Sequence, residues 1–145
     1  MAQIYMAMSG CGKTQFCLNN STKWRDLDSG GLKADPIKLF MLFHNGTGHN
    51  VFLDASEVWL KANIIPYLII LPEKSAKAEI IARVKAGTNN SEWSVYYEIN
   101  YDKIYNMLES VKVPKIYLKA NQFIADIIDT DGNIKDGIEV IQPKD

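Results

Sequence analysis

Apolar runs alternate along the chain with stretches whose apolar residues recur every three or four positions. The runs predict five strands, over residues 4–8, 22–28, 50–54, 64–71 and 114–118. Helical spacing predicts helices over residues 36–43, 72–86, 91–111 and 121–128, with shorter ones after residues 14 and 56. The run at 64–71 is nearly continuous, which indicates a strand covered on both faces of a parallel sheet. Strands that alternate with helices predict an α/β fold with a mostly parallel sheet.

An aromatic stripe at helical spacing runs through residues 91–111, from Trp93 through Tyr97 and Tyr101. Large apolar side chains on one face of a helix are most often buried. We therefore expect this stripe to pack in the core and not to serve as a platform for stacking bases.

The chain changes character after residue 128. Asp131-Gly132 and Asp136-Gly137 mark turns, and residues 138–141 alternate between apolar and polar side chains as an exposed strand does. We therefore predict one domain over residues 1–128 and a C-terminal extension or short hairpin over residues 129–145.

Composition limits the classes of protein to which the chain can belong. Its 145 residues include 47% hydrophobic residues and carry a formal net charge of −1, which suits one globular domain. A charge near zero does not favour a nucleic-acid partner, because such proteins usually present a basic face. No apolar run reaches membrane-spanning length, so we expect no membrane partner and a cytoplasmic protein.

The two cysteines, Cys11 and Cys17, have neither the spacing of a zinc site nor that of a disulfide framework. Cys17 is expected to be a small core residue. Cys11 lies close to the start of the first predicted helix, where a thiol is expected to be somewhat acidic.

The strongest chemical signal lies between the first strand and the first helix, in Ser9-Gly10-Cys11-Gly12-Lys13-Thr14. Its two glycines allow the unusual backbone that points several N–H groups at one phosphate. Lys13 adds a positive charge for the β- and γ-phosphates, and Thr14 offers a hydroxyl to Mg²⁺. We predict that these six residues and Gln15 bind a nucleotide. The alternative is a glycine-rich turn with a chance Gly-Lys-Thr, since Ala7 stands where the strict pattern has its first glycine.

This loop resembles that of the adenylate-kinase-like small-molecule and nucleotide kinases. The chain is also similar to the small phage-encoded nucleoside-monophosphate-kinase-like P-loop proteins. The likeness extends through Ile128 and rests, in the C-terminal half, on Pro72, Lys77, Arg83, Trp93 and the segment 122–128. It implies a three-layer P-loop NTPase fold with five strands in the order 2-3-1-4-5, ATP and Mg²⁺ as cofactors, and a place in the host cytoplasm.

The resemblance also implies a role for Arg83. Related kinases carry lid arginines in the helix after the fourth strand, where they close over the transferring phosphoryl group. The alternative is local, because Glu79 lies four residues earlier and a Glu-Arg pair at that spacing is an ordinary helix-surface contact.

Acidic residues end the second predicted strand. Asp26 and Asp28 lie there, and ligands gather at the carboxyl ends of parallel strands. With Ser29, they resemble the Asp-x-Asp of shikimate-kinase-like and phage kinase-like proteins, in which the acidic pair serves Mg²⁺ and substrate. We assign Asp28 to Mg²⁺ and catalysis, and Asp26, Ser29 and Lys33 to the substrate. The alternative for Asp28 and Ser29 is a turn or a helix cap.

Asp54 follows three apolar residues of the third predicted strand. That pattern is typical of a Walker B strand, whose Asp orients Mg²⁺ or its water. An N-cap role for the next helix is the alternative. The predicted Mg²⁺ ligands are therefore Thr14, Asp28 and Asp54.

These features predict ATP-dependent, Mg²⁺-assisted phosphoryl transfer to a small acceptor, with a nucleoside or deoxynucleoside monophosphate as the leading candidate. Lys13, Arg83 and Asp28 would act by positioning and by neutralising charge. Only Arg25 and Arg83 among the 16 basic residues are arginines, whereas nucleoside monophosphate kinases generally clamp both phosphates with several. Two alternatives stay open: a kinase for a non-nucleotide metabolite, as in the shikimate kinases, and a non-catalytic nucleotide-binding regulatory module. We expect a monomer or a homodimer.

Overall fold

The computed structural model describes residues 2–28 and 35–144 of the chain. Five strands form one sheet there: β1 (Ile4–Ala7), β2 (Trp24–Leu27), β3 (Asn50–Asp54), β4 (Leu68–Pro72) and β5 (Lys115–Leu118). Their order across the sheet is β2-β3-β1-β4-β5, and every pairing is parallel. The α/β class and the strand order predicted from the sequence are confirmed.

β1 lies at the centre of the sheet. Its Met6 pairs in register with Leu53 of β3 and Ile69 of β4, and all three side chains are fully buried. Every residue of β4 is buried as well, which explains why its sequence is continuously apolar and does not alternate. The buried sheet thus fixes the point at which β1 ends and the loop of residues 8–12 begins.

Five α-helices connect or follow the strands: α1 (Lys13–Asn19), α2 (Pro36–Phe40), α3 (Glu57–Lys61), α4 (Lys77–Ala86) and α5 (Ser91–Ser110). The N-cap of α2 is Asp35, whose carboxylate accepts a hydrogen bond from the Ile37 N–H at 2.9 Å. The N-cap of α3 is Ser56, so the capping role considered for Asp54 is wrong. In the part of the chain that the structure describes, no helix is long and apolar enough to cross a membrane.

An aromatic cluster holds α1 against β2. The rings of Trp24 and Phe52 stack with centroids 5.1 Å apart, and Phe16 of α1 meets Trp24 edge-on at 5.3 Å. Aromatic pairs in such geometries stabilise a core beyond their buried area. The cluster brings the first turn of α1 beside the middle of β2, where Asp26 lies.

Two predicted elements begin four or five residues later than the sequence indicated. The strand predicted over 64–71 starts at Leu68: residues 64–66 have no regular structure and Tyr67 lies in a bend, and Pro66 has no N–H to donate to a sheet. The helix predicted over 72–86 starts at Lys77, because Glu73 keeps an extended backbone and a 3₁₀ turn, Lys74–Ala76, follows it.

Two other predicted helices are shorter than expected. The helix predicted over 36–43 ends at Phe40 and continues as a π-helix, Met41–Gly46. The helix predicted over 121–128 is only a 3₁₀ turn, Ile124–Asp126, because Phe123 before it is extended. Short segments with few intrahelical bonds are governed by tertiary contacts, which local sequence does not encode.

α5 packs against α4 and β4 through a row of tyrosines. Tyr97, Tyr101 and Tyr105 are buried, with neighbouring ring centroids 5.6 and 6.0 Å apart. Trp93 at the start of the row is partly buried against the core. The prediction that this aromatic stripe packs in the core is confirmed.

The segment after residue 128 returns to the first two strands. The Tyr5 hydroxyl donates a hydrogen bond to the Gly132 carbonyl at 2.6 Å, and the Trp24 indole donates one to the Thr130 carbonyl at 2.8 Å. The strand predicted over residues 138–141 is wrong, since Ile141 alone of these residues makes a bridge, an antiparallel one with Lys115.

Candidate phosphate-binding site

The loop between β1 and α1 contains two glycines in a left-handed conformation. Gly10 has φ of 91° and Gly12 has φ of 90°, values that residues with a side chain rarely adopt. A Cβ on Gly10 would lie 2.9 Å from Cγ2 of Ile80, and one on Gly12 would lie 3.1 Å from the ring of Phe123. Backbone conformation therefore favours glycine at both positions that the sequence singled out, and the space around them is tight, most of all at Gly10.

Three side chains meet where the loop enters α1. Lys13 is buried and forms an ion pair with Oδ1 of Asp26. The Thr14 hydroxyl donates a hydrogen bond to Oδ2 of the same carboxylate at 2.8 Å. One carboxylate of β2 thus fixes the directions of both the ammonium and the hydroxyl that the loop sequence offers to phosphate and metal.

The predicted Mg²⁺ ligands do not all come together. Asp26, which we assigned to the substrate, is the acid on Thr14, whereas Asp28 and Asp54 line a cavity that opens beside Ser9. The Asp54 carboxylate accepts a hydrogen bond from the Trp59 indole at 2.7 Å. Ser29 and Lys33, which we predicted to bind substrate, lie outside the described residues.

The cavity beside Ser9 has a volume of about 920 Å³ and an acidic, aromatic lining. Trp93 and Tyr97 of α5 form part of its wall. Of the described residues that line it, one is basic, Lys103, and none is arginine. Its acidic lining residues are Asp28, Asp54, Glu57 and Glu92.

A second cavity, of about 670 Å³, opens at the other end of the loop beside Gly12 and Gln15. Phe123 forms part of its wall and is 41% exposed, so part of this aromatic residue is available to a ligand. Its charged lining residues are one lysine, Lys135, and three aspartates, Asp126, Asp129 and Asp131. The loop therefore has a cavity at each end.

Arg83 of α4 contacts the loop through its guanidinium group. One nitrogen donates a hydrogen bond to the Gly10 carbonyl at 2.6 Å, and another donates one to the Ala120 carbonyl at 2.5 Å. The guanidinium carbon lies 4.2 Å from the centroid of the Phe123 ring. No ion pair between described residues joins Arg83 to Glu79, so the surface-pair alternative is wrong. Its role as a lid arginine stays a prediction.

Three consecutive carbonyls of the loop accept hydrogen bonds from groups far along the chain. The Tyr97 hydroxyl donates to Ser9 at 2.8 Å, Arg83 donates to Gly10, and the Ile124 N–H donates to Cys11 at 2.9 Å. The sequence did not identify Tyr97 or Ile124 as residues of the site. Helical spacing marked Tyr97 as buried but gave no information on the partner of its hydroxyl.

Cys11 is fully buried behind the loop, and burial raises the pKa of its thiol to about 12, against a smaller opposing effect of Arg83 and Lys13. The prediction of a somewhat acidic Cys11 thiol is therefore wrong, since desolvation outweighs the nearby positive charges. Cys17 is also buried, as predicted.

The residues at the loop fit Mg²⁺, a metal that needs few protein ligands. They do not fit a metal whose ligands all come from protein side chains. Among the residues that the structure describes, no group of three or more His, Cys, Asp or Glu could hold a metal. Mg²⁺ does not need such a group, because it usually keeps several waters and binds through one or two side chains plus substrate phosphates. Thr14 and Asp26 are oxygen donors of that kind, already joined to each other.

Comparisons of the chain with protein-family models, with curated proteins and with solved structures gave no match. A functional assignment must therefore come from the loop, its carboxylate and the two cavities.

Proposed function

We propose that the chain is a kinase of the P-loop type, which binds ATP at residues 9–15 and transfers the γ-phosphoryl group to a small acceptor. The observation that carries the proposal is the ion pair and hydrogen bond that join Asp26 to Lys13 and Thr14. A chance Gly-Lys-Thr in a turn would have no reason to share one carboxylate of β2, which is separated from β1 in the sheet by β3. The resemblance to small phage-encoded nucleotide kinases supports the same activity.

Each group at the loop has a task in phosphoryl transfer. The Lys13 ammonium would move partly away from Asp26 and neutralise charge on the β- and γ-phosphates. The Thr14 hydroxyl, oriented by Asp26, would face the metal. Mg²⁺ held by Thr14 and Asp26 would neutralise charge that develops on the transferring group. The protein itself supplies position and charge, which is most of what this reaction requires.

The two cavities provide room for two substrates. The cavity beside Gly12 suits the nucleoside of ATP, because its wall includes the partly exposed aromatic side chain of Phe123. The cavity beside Ser9 then remains for the acceptor. The two cavities open at opposite ends of the loop, so donor and acceptor would meet across it.

The charge of the acceptor cavity favours the second candidate, a kinase for a metabolite that carries no phosphate. A monophosphate carries about two negative charges. The lining of this cavity contains four carboxylates and only one positively charged side chain, Lys103, among the described residues. Arginines usually hold such phosphates in bidentate fashion, and the described lining contains none. A hydroxyl compound with neutral or amine substituents suits this lining better than a nucleoside monophosphate does.

A panel assay tests the proposal. Purified protein with ATP and Mg²⁺ would be given nucleoside monophosphates and, separately, sugars, amino sugars and amino alcohols, while ADP formation is followed and nucleotide affinity is measured by calorimetry. Turnover with a monophosphate selects the nucleotide kinase, and turnover with a phosphate-free acceptor selects the metabolite kinase. Tight nucleotide binding without turnover would select the regulatory module and overturn phosphoryl transfer.

Lys13→Met provides the site variant for this assay. It keeps most of the side-chain length and removes the charge, so nucleotide affinity should fall at least about tenfold. Lys77→Met is the matched control, because Lys77 pairs with Asp102 on the helix surface. Equal affinities in the two variants would show that the loop does not bind phosphate.

A further inference from the structure

Two side chains donate hydrogen bonds to backbone carbonyls of the loop, and core packing alone does not explain these bonds. Tyr97 donates to the carbonyl of Ser9 and Arg83 donates to the carbonyl of Gly10. We propose that Tyr97 and Arg83 are positioning residues, which pin these two carbonyls and thereby aim the next N–H groups at a bound phosphate. This inference rests on the proposed function for its ligand.

The geometry of the peptide bond connects each pinned carbonyl to a donor. In a trans peptide the C=O and the following N–H point in opposite directions, and no cis peptide is found in the described residues. With the Ser9 carbonyl directed to Tyr97, the Gly10 N–H faces the opposite side of the loop. With the Gly10 carbonyl directed to Arg83, the Cys11 N–H does the same.

In the loop, the backbone carbonyl groups have hydrogen-bond partners and the backbone N–H groups do not have them among the described residues. The carbonyls of Ser9, Gly10 and Cys11 all have donors. Among the hydrogen bonds between described residues, none uses a backbone N–H of loop residues 9–12 as donor. Buried backbone N–H groups in a folded chain are nearly always paired, so a run of loop N–H groups with no partner among the described residues is the arrangement that anion-binding loops show.

Arg83 has a geometry that lysine cannot reproduce. Its planar guanidinium reaches the Gly10 and Ala120 carbonyls together while its face lies against Phe123. Phe123 in turn limits the space at Gly12 and forms part of the wall of the 670 Å³ cavity. Arg83 therefore holds the loop and this cavity wall in one fixed relation.

The tyrosine row of α5 contains a matched control for Tyr97. Tyr105 is buried to a similar degree, and its hydroxyl also donates to a backbone carbonyl at 2.8 Å, that of Pro72 at the end of β4. Tyr97→Phe and Tyr105→Phe thus remove the same kind of hydrogen bond from the same helix. They differ in whether the carbonyl that is released belongs to the loop.

Two measurements on the full chain test the proposal. NMR relaxation of the Gly10 and Cys11 amides, without ligand, reports whether the loop is pinned. Calorimetry with ADP and with inorganic pyrophosphate reports affinity. We expect Tyr97→Phe to increase exchange broadening at both amides and to weaken both ligands by roughly three- to tenfold. Arg83→Lys should weaken them about tenfold or more, while Tyr105→Phe should match the wild type in both measurements.

The outcomes separate the positioning role from the proposed function. Unchanged loop amides in Tyr97→Phe, or unchanged affinity despite altered amides, would overturn the positioning role. Equal losses in Tyr97→Phe and Tyr105→Phe would overturn it as well, because they would indicate a general effect on stability. A wild type that binds neither ligand, with loop amides that still respond to Tyr97→Phe, would support the pinning and overturn the proposed function.

Discussion

The Thr14 hydroxyl donates a hydrogen bond to the Asp26 carboxylate at 2.8 Å, so the acid that serves the loop comes from within β2 and not from its end. Asp28, two residues later, follows the strand and lines the acceptor cavity. The two acids of the Asp-x-Asp pattern therefore have different surroundings and should respond differently to the same substitution.

We predict that Asp26→Asn lowers turnover with ATP and Mg²⁺ at least about tenfold and reduces the free energy of unfolding by about 1–3 kcal/mol. The amide keeps the shape, but the buried Lys13 loses its counter-charge. Mg²⁺ titrations of the rate and denaturant melts measure the two effects. Asp28→Asn is the comparison, because Asp28 is exposed and lines the acceptor cavity, and its substitution leaves the Asp26 carboxylate on Lys13. A larger loss of Mg²⁺-dependent rate in Asp28→Asn would return the metal role to Asp28.

A second prediction concerns Tyr101, whose hydroxyl is buried without a hydrogen-bond partner among the described residues. An unsatisfied buried hydroxyl destabilises the fold, so Tyr101→Phe should stabilise it by about 1 kcal/mol and raise Tm by about 2–4 °C. Tyr105→Phe, which loses a made hydrogen bond, should lower Tm. Calorimetric melts of the two variants check the signs. A lower Tm in Tyr101→Phe would show that the hydroxyl finds a partner in solution.

A third prediction follows from the buried thiols. Burial raises the pKa of both Cys11 and Cys17 to about 12, whereas an unfolded thiol titrates near about 8.5. The unfolded state therefore loses these protons first as pH rises, and stability that is complete below about pH 8.5 declines from there towards about pH 12. Burial also raises the pKa of Tyr97, Tyr101 and Tyr105, which extends the decline above about pH 10.

Thermal melts from about pH 7 to 11 measure this decline. In the double variant Cys11→Ala with Cys17→Ala, the decline of stability below about pH 10 should disappear, and the decline at higher pH due to tyrosine should remain. In the native protein at about pH 8, neither thiol should react with a disulfide reagent until the chain unfolds. Rapid labelling of a native thiol would contradict the burial of Cys11.

The sequence predicted what depends on local patterns. Apolar runs located the strands, because a central strand such as β4 must be apolar on both faces. Glycines in the loop were informative because a left-handed backbone at Gly10 and Gly12 is a requirement on the residue itself. The strand order came from the resemblance and not from any residue pattern.

What the sequence could not predict are long-range partners. The spacing of Glu79 and Arg83 favours a surface pair, yet the guanidinium bonds to Gly10, 73 residues away. Helical periodicity predicts that Tyr97 is buried, but it does not predict the partner of the hydroxyl. The Tyr97 hydroxyl bonds to the loop, whereas that of Tyr105 bonds to the end of a strand. Whether Asp26 or Asp28 meets Thr14 likewise depends on where α1 lies across β2. The packing of Phe16 against Trp24 decides that position.

The last prediction tests how far the segment after residue 128 is part of the fold. Gly132 and Gly137 both have positive φ, 86° and 81°, so alanine would strain the backbone about equally at either position. They differ in their surroundings. A Cβ on Gly132 would lie 2.9 Å from the Trp24 ring, whereas one on Gly137 would meet nothing within 4 Å.

We expect Gly137→Ala to destabilise the protein by about 1–2 kcal/mol, the cost of the left-handed conformation alone. Gly132→Ala should add roughly 1–3 kcal/mol, because the methyl group overpacks a core tryptophan. It would also displace the Gly132 carbonyl from the Tyr5 hydroxyl. Denaturant melts that follow Trp fluorescence measure both. Equal, small effects in the two variants would mean that the segment does not rest on Trp24 in solution, and its contacts with β1 and β2 would then not contribute to the stability of the sheet.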